Sequence, residues 1–121
     1  MKVKNRVKTH EDFQSIIQTN SKVSNKTYIL YYTTNDKGYS RIGISASKKL
    51  GNAVIRARVR RQVRVIAKAV LGLDKSIDYV IIVRKKFLEE TFQKNTESLR
   101  KLIIDIFNES RRIENEKEKN K

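Results

Sequence analysis

The sequence predicts an α+β fold, in which a small, mostly antiparallel sheet carries helices packed against it. Segments with apolar residues at helical spacing alternate with segments rich in β-branched and aromatic residues. The predicted order is helix, strand, strand, helix, strand, helix, with room for one more strand. At 121 residues the chain has the length of one domain. We expect residues 1–112 to form that domain, and the charged tail 113–121 to fray.

The first helix is predicted to begin at Thr9, whose hydroxyl can cap its N-terminus, and to end near Gln18. Phe13 and Ile17 lie on one side of this helix, at a spacing that is typical of core contacts. A loop rich in Asn, Ser and Thr is expected to follow, over residues 19–26.

Two strands are predicted next, over residues 27–34 and 41–47. Alternation along the first strand places Tyr28 on one face of the sheet and Tyr31 on the other. Residues 35–40 contain turn-forming Asn, Asp and Gly. The sequence therefore predicts an antiparallel hairpin.

The following helix carries the densest positive charge in the chain. It is predicted to run from Asn52, a suitable N-cap residue, to about Gly72, a suitable residue to follow a helix. Residues 48–64 hold seven Lys and Arg, and residues 37–73 contain no Asp or Glu. One narrow stripe is apolar and is expected to be buried: Ile55, Val59, Val63, Ile66 and Val70. Arg60 and Arg64 point away from that stripe, with Ala57 on the same side.

The last two predicted elements are a strand and a long helix. The apolar run Tyr79 to Val83 predicts a central strand that is covered on both faces. The final helix is predicted from about Gln93 to about Arg112. Its buried stripe is expected to be Leu99, Leu102, Ile103, Ile106 and Phe107.

The net charge of +15, with a pI near 10.2, points to a nucleic-acid partner, or less often to an anionic membrane surface. The absence of Cys excludes disulfides and thiolate sites. The first residues lack the apolar segment of a signal peptide, and no apolar run has the length of a membrane span. These features predict a soluble cytoplasmic protein with no membrane partner.

No residue pattern suggests a catalytic or metal site. The single His, His10, has no Ser or Cys beside it to activate. Asp74 and Asp78 flank a connection between a helix and a strand, where Asp is common in turns. A groove between the sheet and the arginine helix would instead suit a single strand, with phosphates on Arg and bases on aromatic rings. No DNA-binding signature occurs, so sequence-specific DNA recognition is not expected.

The segment SASKKLGNAVIRARVRRQVR, which begins at Ser45, resembles the signature of the bacterial ribonuclease P protein subunit. The segments NRVKTHEDFQ, KTYILYY and IDYVIIVRK resemble that family in order and spacing, so the resemblance covers about residues 4–110. Two positions depart from it. Ala57 stands where the family has Asn between two Arg, and Ile17 stands where relatives have an aromatic residue.

The resemblance implies a fold similar to a ribosomal-protein domain, a two-layer sandwich whose βαβ crossover is left-handed, against the usual rule. It also implies a partner RNA subunit that acts as the Mg²⁺-dependent catalyst and removes the 5′ leader from precursor tRNA. The Mg²⁺ would be bound mainly by the RNA subunit and the substrate. The protein would bind the leader and support the active form of the RNA.

The same resemblance assigns two sets of residues by position. One set would line the cleft that binds the leader: Phe13, Ile17, Tyr31, Ala57, Arg60 and Arg64. The other would lie at or near the surface that meets the catalytic RNA: Lys48, Lys49, Asn52, Arg56, Arg58 and Arg61.

Two alternative functions remain open from the sequence. One is a basic ribosomal protein or RNA chaperone with no link to cleavage, and the RNA that co-purifies would distinguish it. The other is a protein nuclease that acts alone, which cleavage by the purified protein without RNA would support.

Overall fold

The computed structural model describes residues 2–119, with side chains described to residue 108. The helices in that range are α1 His10–Gln18, α2 Ala53–Val70, α3 Lys86–Glu89 and α4 Phe92–Lys119. The strands are β1 Lys22–Ser24, β2 Tyr28–Thr34, β3 Arg41–Ser45 and β4 Ile77–Val83. Short 3-10 turns occupy Val3–Asn5 and Lys48–Leu50. The predicted α+β fold is confirmed, and the additional strand is β1.

The four strands form one sheet in the order β1-β2-β4-β3 within the described chain. The β1–β2 and β2–β4 pairs are antiparallel, whereas β3 and β4 are parallel. The sheet is therefore mixed, and α2 forms the crossover between two neighbouring parallel strands. The left hand implied for that crossover stays a prediction.

The predicted hairpin between β2 and β3 is wrong, because β4 lies between these strands. The connection between β2 and β3 bonds to the loop that precedes β4. The Asn35 amide donates to the Ser76 carbonyl at 2.8 Å, and the Ser40 amide donates to the Leu73 carbonyl at 2.7 Å. Since β4 is the most apolar strand, the central position buries it on both faces, which a β2–β3 hairpin would prevent.

Helix α2 ends at Val70 with Leu71 as its C-cap, so the predicted end near Gly72 is confirmed. Two smaller predictions need correction. Residues 19–26 are not all loop, because β1 forms there and Val23 packs against the core. Phe107 is 41% exposed, with the Lys75 ammonium 4.8 Å from its ring centroid.

The two faces of the sheet carry different helices. The main core lies on the face covered by α2 and α4, and its fully buried members include Tyr28, Leu30, Val63, Ile81 and Leu99. Helix α1 covers part of the opposite face, where Ile16 and Val80 are buried. Helix α2 follows β3, an outer strand of the sheet, and its Arg64 lines a pocket with Phe13 beside the face that α1 only partly covers.

Helix α1 is joined to the sheet by a network around Asp78. The Arg41 guanidinium donates to both oxygens of Asp78, at 3.0 and 2.7 Å, and to Asp12 on α1 at 3.2 Å. The side-chain amide of Asn35 donates to Asp78 at 2.7 Å. The interpretation of Asp78 as a turn residue is therefore wrong: it is a buried strand residue with a paired charge.

The end of the chain extends as helix beyond the predicted limit near Arg112, since α4 reaches Lys119. The expected fraying of residues 113–121 stays a prediction. The side chains of that segment, and residues 120 and 121 entirely, lie outside the described residues.

Candidate nucleic-acid interface

Helix α2 positions the cations because both its start and its inner face are fixed. The Asn52 side chain accepts a hydrogen bond from the Ile55 amide at 3.0 Å, which confirms the predicted N-cap. The predicted apolar stripe is also confirmed, with Val59 and Val63 buried and Ile55 packed against the core. The arginines on the other faces of the helix are thereby held in fixed directions.

The side chain of Phe13 lies directly on the backbone of β3. A Cβ atom added to Gly43 would stand 2.6 Å from Phe13 Cζ, so the ring occupies the space that any other residue at position 43 would fill. Ile17 and Tyr31 belong to the same apolar cluster and, like Phe13, are only partly buried. The Lys22 ammonium is 5.7 Å from the Tyr31 ring centroid. The structure thus brings three predicted cleft residues together on one face.

Three guanidinium groups lie beside this apolar cluster. Arg6 and Arg64 line a pocket of about 150 Å³ together with Phe13 and Gly43. Burial, followed by the positive charges of Arg6 and Arg60, lowers the pKa of Arg64. Arginine stays charged at neutral pH, so these groups repel one another, and an anion between them would relieve the repulsion. We call the site formed by these arginines and the adjoining residues of the sheet face the arginine cleft; its members are Arg6, Arg60, Arg64, Phe13, Gly43, Ile17 and Tyr31.

Two members of this cleft were missed from the sequence, namely Arg6 and Gly43. Arg6 lies in the basic first residues of the chain, and Gly43 lies within the second predicted strand, so neither position stands out in the sequence as a site residue. Ala57 is exposed and precedes Arg60 by three residues on α2. Since its side chain is a methyl group, it offers no hydrogen bond to a nucleic acid.

The six residues expected to meet the catalytic RNA surround the N-terminal half of α2 and do not converge on one point. Lys48 and Lys49 are exposed in the 3-10 turn before the helix, and the Asn52 side-chain oxygen is used by the cap. The three arginines of this set are Arg56, Arg58 and Arg61. Successive residues turn by about 100° around the helix, so these side chains point in different directions.

The surroundings of these arginines differ. Arg58 is exposed and borders a groove with Phe87 and Leu88, while Arg61 is exposed to solvent. Arg56 is half-buried, and its Nε atom has no hydrogen-bond partner within the described part of the chain. This set therefore presents charge over a broad surface, as an extended RNA contact requires.

We expect Arg58→Ala to reduce the salt dependence of RNA binding by about one phosphate contact. The slope of log K against log salt changes by about 0.7 to 0.9 per contact. The measurement is a salt titration of affinity, with Arg100→Ala as the matched control because Arg100 is exposed on α4. An unchanged slope in a folded Arg58 variant would show that Arg58 is only a solvated charge.

The structure also bears on the other functional candidates. Tyr28 is fully buried and its hydroxyl donates to the Asn95 carbonyl at 2.8 Å, so its ring is unavailable for base stacking. His10 is exposed at the start of α1. Among the described residues, no group of three or more His, Cys, Asp or Glu could hold a metal ion. No helix in the described range is long and apolar enough to cross a membrane.

The comparison with known proteins decides the family. The family model for ribonuclease P matches residues 1–106. The chain belongs to the bacterial ribonuclease P protein family. It is 40% identical over 106 residues to the ribonuclease P protein component of Mesoplasma florum, covering 86% of this chain and 96% of that protein. It is 38% identical over 112 residues to the component from Bacillus mycoides, covering 91% and 94%.

Solved structures of ribonuclease P proteins share the fold. The Staphylococcus aureus ribonuclease P protein has a TM-score of 0.74 and 32% identity, covering 84% of this chain and 94% of that one. The Thermotoga maritima ribonuclease P protein has a TM-score of 0.71 and 32% identity, covering 80% and 93%. The family resemblance seen in the sequence is confirmed over nearly its whole expected range.

Proposed function

We propose that the protein is the RNA-binding subunit of ribonuclease P, which acts with a catalytic RNA to remove the 5′ leader from precursor tRNA. In this proposal the protein binds the leader and supports the Mg²⁺-dependent active form of the RNA. The reaction is endonucleolytic, and the RNA carries the chemical step. Since precursor tRNA is made in the cytoplasm, the protein is expected there.

The observation that carries the proposal is the arginine cleft. Phe13 offers a partly exposed ring on the sheet, and Arg60 and Arg64 offer guanidinium groups beside it. Guanidinium pairs with phosphate through two parallel hydrogen bonds, and aromatic rings stack on bases of any sequence. Together these groups fit one strand whose phosphates and bases lie side by side.

The cleft suits a single strand better than a duplex. Bases in an A-form helix are paired and stacked, so they cannot reach a ring on the floor of a narrow site. A leader offers unpaired bases, whereas the body of mature tRNA is largely double-stranded. This difference provides the basis on which the protein would distinguish precursor from product.

Within the part of the chain that the structure describes, no group of three or more His, Cys, Asp or Glu could hold a metal ion. Mg²⁺ is commonly bound through one or two carboxylates together with phosphate oxygens, and the RNA partners supply many phosphates. In this proposal the metal ions are bound mainly by the catalytic RNA and its substrate. The protein contributes positive charge and holds the leader in position.

We expect no single Asp, Glu or His substitution in the protein to remove the chemical step, because these residues form no catalytic arrangement. Single-turnover cleavage by the reconstituted holoenzyme at saturating Mg²⁺ tests this, with each variant first checked for folding and RNA binding. The proposal would fail on this point if a normally binding variant cleaved more than about a thousandfold slower, a loss of about 4 kcal/mol.

Sequencing the RNA that co-purifies with the protein tests the proposed partner. One large structured RNA with precursor tRNA cleavage activity is the expected result. Recovery of ribosomal RNA alone would support the alternative of a ribosomal protein or RNA chaperone, which the family assignment does not favour. Cleavage by the purified protein without RNA would support a protein nuclease.

A further inference from the structure

The cationic row on α2 continues beyond the arginine cleft. Arg60, Arg64 and Lys68 are spaced four residues apart, so they follow one side of the helix over about 12 Å. Arg64 lines the small pocket of the cleft, and Lys68 lines a second and larger pocket. The two pockets therefore lie along the same helix, separated by about one turn.

The second pocket lies where the N-terminal segment meets the loops around β3 and the end of α2. Its volume is about 450 Å³, within the range of about 300–1,000 Å³ typical of ligand sites. The Lys4 ammonium lies 4.8 Å from the centroid of the Tyr39 ring. We call this site the lysine pocket, and its lining includes Lys2, Lys4, Gly38, Tyr39, Lys68 and Asp74.

The N-terminal segment connects the two pockets and is fixed along the outer edge of β3. The buried Asn5 side-chain amide donates to the Ser40 carbonyl at 2.8 Å, and the Val7 amide donates to the Ile42 carbonyl at 3.1 Å. Lys4 lines the lysine pocket, whereas Arg6, two residues later, lines the arginine cleft. Cations from this segment and from α2 therefore border both pockets.

We propose that the single-stranded leader continues from the arginine cleft into the lysine pocket, which holds a further nucleotide of the leader. The phosphate of that nucleotide is bound by Lys2, Lys4 and Lys68, and its base lies against Tyr39. Asp74 repels phosphate, but its carboxylate can accept a hydrogen bond from a base amino group. This inference rests on the proposed function and adds a distal subsite to it.

The subsite predicts that affinity depends on leader length in two steps. A short leader reaches only the arginine cleft, and a longer leader also fills the lysine pocket. The test uses the reconstituted holoenzyme with precursor tRNAs whose leaders grow by one nucleotide at a time, and with mature tRNA. Affinity is measured for each substrate at several salt concentrations.

Two triple variants with the same change in charge are compared. The pocket variant combines Lys2→Gln, Lys4→Gln and Lys68→Gln. The control variant combines Lys26→Gln, Lys94→Gln and Lys101→Gln, which are exposed lysines near the start of α4. Since all six lysines are exposed, neither variant is expected to unfold, and thermal melts check this.

We expect the pocket variant to bind long-leader precursors about tenfold more weakly than wild type, and to bind short-leader precursors and mature tRNA normally. Its salt slope for the long leader should fall by about 0.7, the value for one single-strand phosphate that is no longer neutralised. The control variant should match wild type at every leader length. Tyr39→Leu should lose affinity at the same leader lengths as the pocket variant.

The inference is overturned if the pocket variant follows wild type at every leader length. It is also overturned if the pocket variant loses affinity equally for mature tRNA, because the lysines would then contact another part of the RNA. An Arg64→Ala variant distinguishes failure of the distal subsite from failure of the proposed function. If Arg64→Ala loses short-leader binding while the pocket variant behaves like wild type, the distal subsite is rejected and the proposed function stands. If the wild-type holoenzyme binds precursor and mature tRNA equally well, both the subsite and the proposed function are rejected.

Discussion

Asp78→Ala is expected to lower the free energy of unfolding by about 3 kcal/mol, at the lower end of the 3–5 kcal/mol typical of breaking a buried ion pair. The Asp78 side chain is 6% exposed and receives two hydrogen bonds from Arg41. In this variant the half-buried Arg41 guanidinium no longer has the Asp78 carboxylate as a partner. The remaining pairing with Asp12 and access to water keep the cost at the lower end.

Asp12→Ala is the matched control for this prediction. Asp12 bonds the same guanidinium, but its side chain is 44% exposed, so its removal should cost no more than about 1 kcal/mol. Chemical denaturation of both variants gives the comparison. Equal losses for the two variants would contradict the assignment of Asp78 as the buried centre of the network.

The ion pair between Arg41 and Asp78 makes the stability of the fold depend on pH. Burial alone would raise the pKa of Asp78, but hydrogen bonds from Arg41 and Asn35 and the Arg41 charge outweigh it and hold the pKa below its ordinary value. A carboxylate with a lowered pKa stabilises the fold fully above its unfolded pKa, about 3.9, and loses that contribution as the pH falls through the folded pKa. Asp78→Asn should remove this part of the acid dependence.

Gly43→Val is expected to produce the second large effect, on both stability and leader binding. The Cβ atom would stand 2.6 Å from Phe13 Cζ, so either the ring or the strand must move. Overpacking of this kind costs about 1–3 kcal/mol in stability. If the ring moves out of the arginine cleft, the precursor also loses a stacking contact, worth about 1–3 kcal/mol.

The double variant Phe13→Ala with Gly43→Val is the internal control. Without the ring, valine at position 43 has space, so the double variant should be more stable than the sum of the two single losses predicts. Additive losses would contradict the close contact between Phe13 and Gly43. Denaturation curves of the two single variants and the double variant give the result.

Features set by neighbouring residues could be predicted from the sequence. The cap at Asn52 and the buried stripe around Val63 depend on helical spacing within about one turn. The central position of β4 was also predictable, because a continuous apolar run must be covered on both faces. These elements fix α2 beside the sheet, and with it the direction of Arg60 and Arg64.

Features set by distant residues could not be predicted in the same way. Asp78 resembled a turn residue because its partner, Arg41, lies 37 positions earlier in the chain. Gly43 resembled a neutral strand residue because the ring that fills its space comes from α1. The hairpin prediction failed for a related reason. The order of the strands depends on which strand is stabilised most by burial at the centre of the sheet, and not on proximity in sequence.

The site residues were assigned by family position, and the structure groups five of the six leader residues around one cleft. Phe13, Ile17 and Tyr31 share an apolar cluster, and Arg60 and Arg64 lie at its side. This grouping supports the assignment of these five residues to leader binding.

The central claim is that the cleft binds the leader, and paired affinities of the holoenzyme for precursor and mature tRNA test it most directly. Tyr31→Ala should weaken precursor binding by about 1–3 kcal/mol, the range for one lost stacking contact, and Arg64→Ala should weaken it through a lost phosphate contact. Both variants should leave mature tRNA binding nearly unchanged, while Arg100→Ala should change neither affinity. Thermal melts distinguish lost stacking at Tyr31 from lost packing. Equal losses for precursor and mature tRNA in both cleft variants would contradict the claim and place the leader elsewhere.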